Sequence, residues 1–268
     1  MDLGISGRVA IVTGASAGIG YAVAEQLLVE GTSVVVVARD RDRLEASAAS
    51  LRERTGGEVF AQPMDVSSPT AATEIMEGVM GRFGRLDILV NNAGRAHAGG
   101  LLDATEEDWE EMAALKLTSM RRMCRAAIPV LAKQRWGRIV NMSSIGGIYP
   151  NPKLLVSHVL SAAINNLTKG LALEVAPLGI LVNAIGIGAV ATDNWAANMI
   201  PSVRRRRPEL KDAPDEEVLA VVGRESTPIG RPGLPEEIAA IAVFLASARN
   251  GFVTGDTIEA SGGADRFM

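Results

Sequence analysis

Four consecutive valines sit in the run "SVVVVA" that begins at Ser33, with no polar residue between them. A strand of this kind has no face for water, so it belongs in a parallel sheet covered by helices on both sides. Six further short runs accompany it: "RVAIV" from Arg8, "VFAQP" from Val59, "LDILV" from Leu86, "GRIVNM" from Gly137, "ILVNAI" from Ile180 and "DTIEA" from Asp256. The amphipathic segments between them have the length that right-handed crossovers need. The pattern predicts an α/β fold, a doubly wound parallel sheet in one domain over residues 1–268.

Composition narrows the class further. At 268 residues and 47% hydrophobic, the chain can bury a large core. Its net charge of −4 gives no general attraction for nucleic acid or an anionic membrane. The run "RRRR" at 204–207 reads either as a solvated face or as a local attractor for an anionic substrate group. The single cysteine, Cys124, cannot close an intramolecular disulfide. No signal segment and no apolar stretch of the ~20 residues that span a bilayer is evident, so a cytoplasmic location is expected.

Ligands of such sheets bind beyond the carboxyl ends of the strands. After the first run stands "TGASAGIG", 13–20, with Gly14, Gly18 and Gly20 spaced for a tight turn, a close approach to a pyrophosphate and tight helix packing. After the second stands Arg39. An acidic residue there would bond a ribose 2′-hydroxyl, whereas arginine accommodates a 2′-phosphate, and Ser16 can add a hydroxyl. NADP(H) is therefore expected in preference to NAD(H), with Asp40 next door as the residue that could reverse the choice.

The chain resembles the short-chain dehydrogenase/reductase family. The resemblance rests on "TGASAGIG", "NNAG" at 91–94, "GRIVNMSS" at 137–144 and the tail "PIGRPGLPEEIAAIAVFLAS…GFVTGDTIEASGG", in order and at ordinary spacings. It implies a seven-stranded, Rossmann-like sheet, a nicotinamide cofactor, a small-molecule substrate and a homodimer or homotetramer. It further implies that Gly14, Ser16, Gly18, Ile19 and Gly20 cradle the cofactor. Asp65 and Val66 would hold adenine, Asn92, Ala93 and Gly94 would line the ribose, and Val190 and Thr192 would meet the nicotinamide amide. Thr13, Asn91 and Asp65 can equally serve as braces for neighbouring backbone. A substrate lid is expected at about 191–225, and Ile187 stands where the family often has proline.

Members of the family use an asparagine, a serine, a tyrosine and a lysine for hydride transfer. Counted without gaps from "NNAG", these positions fall on Lys116, Ser144, Ser157 and Ser161. Serine has no useful acidity near neutral pH, so Ser157 is no substitute for a phenol. Tyr149 and Lys153 repeat the spacing, but Pro150 and Pro152 oppose a shared helix face. The two histidines, His97 and His158, titrate near neutrality and both fall on the cofactor side. Ser144, His158 and Lys116 are the candidate catalytic residues, with Lys116 reaching toward the space Ser161 leaves open. Ser157 and Ser161 are expected to face a polar cleft. The readings that follow are an NADP(H)-dependent oxidoreductase for ketones and secondary alcohols, a nucleotide-binding sensor or partner subunit, and a non-redox isomerase or lyase.

Overall fold

A computed structural model describes residues 2–264. All seven runs form strands: β1 (Val9–Thr13), β2 (Ser33–Ala38), β3 (Val59–Pro63), β4 (Ile88–Asn91), β5 (Gly137–Ser144), β6 (Ile180–Ile187) and β7 (Thr257–Ala260). They make one parallel sheet in the order β3-β2-β1-β4-β5-β6-β7. The winding reverses between β1 and β4, where Val12 lies opposite Val90. Loops diverge there and leave a crevice above the strand ends.

The valine run explains the layering. Val34 and Val36 pack with Ala10 and Val12 on one side, against α1 (Gly18–Val29), α2 (Arg41–Thr55) and α9 (Pro235–Ala246). Val35 and Val37 pack with Val9 and Ile11 on the other side, against α3 (Ala71–Phe83), α5 (Ser119–Gln134) and α6 (Leu155–Val175). Each fully buried side chain contributes roughly 1.5–3 kcal/mol relative to exposure. Neither face can be left open without forfeiting several of these.

Three features position the site. The helix α4 (Glu106–Ala113) runs into α5 through a π-helical turn, Ala114–Thr118, with Lys116 at its centre. Such turns add a residue to the helix and re-aim the side chain it carries. On α6 the stripe Val156, Leu160 and Ile164 is buried, and so are Ser157, His158 and Ser161 on its other faces. The expected lid segment forms α7 (Asp193–Arg206), a short 3₁₀ turn (Pro208–Leu210) and α8 (Asp215–Ser226). These elements share a small core of Ile200, Val203, Leu210 and Val218.

Candidate active site

The glycine turn closes against the end of β4. Gly14 and Gly18 hold φ of +67° and +56°, where a side chain would strain the backbone. A Cβ on Gly20 would collide with the Gly14 carbonyl and the Asn92 amide. Asn92 Nδ2 donates to the carbonyls of Thr13 (3.0 Å) and Gly14 (3.1 Å). The Asn92 and Ala93 amides both donate to Thr13 Oγ1 at 3.0 Å. Thr13 and the Asn92 side chain therefore brace the turn. Asn91 does similar work inside, donating to Asn141 Oδ1 at 2.9 Å. The first turn of α1 carries neither a side-chain cap nor an acidic residue, so its amides suit an anion. Ile19 is half-buried beside them.

At the end of β2, Asp40 caps α2, its Oδ1 accepting the Arg43 amide at 3.0 Å. The carboxylate that could have met a ribose hydroxyl is thus committed elsewhere. Arg39 is exposed, with no hydrogen bond or ion pair to the described residues. Ser47 Oγ donates to the Ser16 carbonyl at 2.9 Å and ties α2 to the glycine turn. Asp65 accepts from the amide and hydroxyl of Ser67, which hold its carboxyl below the usual range, and Val66 beside it is buried. Val190 is buried and bridges Gly233. Thr192 caps α7 through Trp195, and a Cβ on Gly18 would come within 3.2 Å of its methyl.

Lys116 lies where β4, the π turn and α6 converge. Its stem would come within 3.5 Å of a Cβ on Gly94, and its Nζ donates to Ser161 Oγ at 3.2 Å, with the Ser157 carbonyl at 3.5 Å. Burial pushes this ammonium down to about 8. Ser144, half-buried at the end of β5, accepts the Gly146 amide at 3.1 Å.

Two expectations are corrected. Ser157 and Ser161 do not face a polar cleft: they are 4% and 0% exposed. The segment after β4 folds over the start of α6, pairing Gly99 with Leu154. The His97 amide donates to Ser157 Oγ at 2.6 Å. His158 is equally unlike a proton donor. Its ring packs on Gly146, its Nδ1 accepts the Asn151 amide at 2.9 Å, and burial, aided by the charge of Lys116, lowers it to about 4. It is a neutral packing group at pH 7. Tyr149 and Lys153 precede α6, and the Tyr149 hydroxyl points toward Glu259 at 3.5 Å. Two residues of the arginine run tie its segment to α8, Arg204 on Asp215 at 2.8 Å and Arg207 on Glu225 at 2.7 Å.

Sequence reasoning passed over Asp108. Its carboxylate is 3.1 Å from His97 Nε2 and also accepts from the amide and hydroxyl of Thr105. Thr105 and Asp108 form a capping box at the start of α4, and the Thr-x-x-Asp spacing was the legible signal.

A family model described as enoyl-(acyl carrier protein) reductase matches residues 14–265. The chain is 32% identical over 263 residues to the 3-oxoacyl-[acyl-carrier-protein] reductase FabG of Aquifex aeolicus, covering 98% of this chain and 99% of that one. It belongs to the short-chain dehydrogenase/reductase family. Membership makes it an oxidoreductase, in keeping with the parallel sheet and the glycine turn. Among solved members, L-sorbose reductase from Gluconobacter frateurii, complexed with NADPH and L-sorbose, superimposes with a TM-score of 0.91 at 35% identity, covering 100% of both chains. An NADPH-bound short-chain oxidoreductase from Pseudomonas aeruginosa, described as containing an atypical catalytic center, gives 0.88 at 36% identity over 99% of both chains.

Proposed function

We propose that this enzyme interconverts a ketone and a secondary alcohol with NADP(H), using an acid/base arrangement that differs from the family's tyrosine and lysine. The observation that carries this reading is the position of Lys116 Nζ, 3.2 Å from Ser161 Oγ. By the family's spacing, Ser161 occupies the lysine position, so an ammonium from the facing helix enters the space that the family lysine fills. There it would bond the nicotinamide ribose and favour negative charge developing on a nearby substrate oxygen. Ser144 would steady that oxygen.

The remaining residues fit a phosphorylated dinucleotide. Gly14, Ser16, Gly18, Ile19 and Gly20 would cradle the pyrophosphate, where a Cβ on Gly20 has no room. Arg39 would meet the 2′-phosphate, since Asp40 is occupied in capping α2. Asp65 and Val66 would flank adenine, Asn92, Ala93 and Gly94 the ribose, and Val190 and Thr192 the amide. Bound NADPH supplies the hydride and leaves as NADP⁺. The NADPH-bound sorbose reductase and the Pseudomonas oxidoreductase support this choice of cofactor. With Arg204 and Arg207 paired inside the lid, the substrate read here is uncharged rather than anionic.

Fluorescence titration with NADPH and NADH, followed by a carbonyl panel of L-sorbose, cyclohexanone and a 3-oxoacyl thioester, tests the reading. Tighter NADPH binding and oxidation of NADPH with one of these carbonyls are expected. Lys116→Met should lower kcat about 100-fold or more, as loss of one preorganised charge does. NADPH bound without turnover across the panel would refute the ketone–alcohol reading.

A further inference from the structure

Serine at position 157 leaves empty the volume a tyrosine would take, and the fold fills it with chain. The segment after β4 descends onto α6, and the His97 amide lands on Ser157 Oγ at 2.6 Å. The same serine's carbonyl is 3.5 Å from Lys116 Nζ, so one residue touches both the His97 backbone and the buried lysine. The His97 ring is held by Asp108, Nε2 to Oδ1 at 3.1 Å, and its side chain is 14% exposed. Its other nitrogen, Nδ1, is buried and has no hydrogen-bond partner among the described residues. Leaving such an atom unmatched is unfavourable, because its desolvation is not offset by a hydrogen bond. An imidazole backed by a carboxylate with its second nitrogen uncommitted is the arrangement of an acid/base group awaiting a partner.

We propose that His97, oriented by Asp108, is the proton donor and acceptor that replaces the family's tyrosine. This inference rests on the carbonyl-reductase reading above. In the reducing direction the carbonyl carbon takes the hydride supplied by NADPH, and the π electrons pass to oxygen. The Nδ1–H bond of protonated His97 breaks and an O–H bond forms on the product alcohol. The imidazole is left neutral, with NADP⁺ as the other product, and Nδ1 takes a proton back from the water that enters as the product leaves. Asp108 is a positioning residue: it fixes Nε2–H as a donor and favours the imidazolium. Lys116 remains the fixed charge near the ribose.

The charged and titratable groups on the elements around His97 are Asp108 and Glu111 on α4, Arg95 and Asp103 on its own segment, Lys116 on the π turn, Lys153 just ahead of α6 and His158 near its start. Arg95 and Glu111 pair with each other at 2.7 Å, and His158 is neutral above about 4. Glu106, Glu107 and Glu110 are exposed. Asp108 is therefore the partner whose removal should move His97.

The test measures NADPH affinity and pH profiles of kcat on the full chain, with the panel carbonyl turned over fastest, for wild type, His97→Gln, His97→Asn and Asp108→Asn. His97→Gln and His97→Asn should lower kcat by about 100-fold or more, with NADPH affinity within about twofold. Both should also erase the fall in rate that accompanies deprotonation of the acid. Asp108→Asn should keep a fraction of the rate and move that fall to lower pH, since removing the carboxylate makes the imidazole a weaker base. With only two histidines in the chain, ¹⁵N-histidine NMR of wild type reads His97 directly. It should hold its proton on Nε2 when neutral, as the contact with Asp108 requires. Unchanged kcat in both His97 variants of an active wild type would overturn the inference and leave the reductase reading standing. Wild type that binds NADPH yet reduces no panel carbonyl would overturn both. Should the His97 variants fail to bind NADPH, the Asp108→Asn profile and the NMR spectrum decide, and an Asp108→Asn profile identical to wild type, or a neutral His97 that carries its proton on Nδ1, would overturn the proposal.

Discussion

At the scale of single residues, cofactor choice turns on two neighbours with different commitments. Asp40 is held by the Arg43 amide, while Arg39 makes no hydrogen bond or ion pair among the described residues. Charge-assisted hydrogen bonds contribute about 1.5–3 kcal/mol, so Arg39→Asp should weaken NADPH by tenfold or more and reverse the preference toward NADH. Paired titrations with both nucleotides check this, and unmodified protein that binds NADH more tightly would refute it. Two desolvated bases make a second prediction. His158 falls from 6.5 to about 4 and Lys116 from 10.5 to about 8. In each window the unfolded chain binds more protons than the folded one, so stability rises with pH from about 4 to 6.5 and again from about 8 to 10.5. Thermal melts across pH should show His158→Asn flattening the lower rise and Lys116→Met the upper one. Wild-type slopes in both variants would contradict the burial assigned to these side chains.

At the scale of elements, the start of α6 is a sealed joint. Ser157 and Ser161 are overlaid by the segment after β4 and by the π turn, and Lys116 sits 3.2 Å from the second hydroxyl. Restoring the family pair with Ser157→Tyr and Ser161→Lys therefore forces a phenol into occupied volume and sets two ammonium groups together. Overpacking alone costs typically 1–3 kcal/mol. The double variant should unfold at lower denaturant concentration than wild type. Adding Lys116→Asn should recover part of the loss by removing the like charge. A double variant as stable as wild type would mean that the overlying segment lifts away at little cost. The π turn belongs to the same joint, since it aims Lys116 across to α6.

At the scale of the whole molecule, apolar surface remains to be covered. Val159 and Leu173 on α6 are 46% and 72% exposed, and Phe252, just ahead of β7, is 97% exposed. By resemblance to the family, the segments 105–132 and 157–176 would pair in one interface and the tail from 255 onward in a second. The last four residues, 265–268, lie outside the described part of the chain. We expect a homotetramer, with a dimer as the simpler assembly. Sedimentation at micromolar concentration should give four times the 28.1 kDa of one chain. Leu173→Asp should reduce that mass by opening the α6 interface. A monomer in the unmodified protein would exclude both assemblies.

Strand positions, the parallel sheet and the glycine turn were legible in the residues because their causes are local. Four successive valines admit burial on both faces, and Gly14 and Gly18 supply the positive φ that the turn needs. The reading that Ser157 and Ser161 stand at the family's tyrosine and lysine positions likewise needed only spacing. The consequence of that placement was not legible. Whether those serines face a cleft, whether His158 is charged and which carboxylate meets His97 depend on residues of different segments, from 11 to 60 apart in the chain, packing against one another. Burial and electrostatic environment belong to that packing and not to any residue, so the same histidine reads as an acid in the sequence and as a neutral filler in the fold.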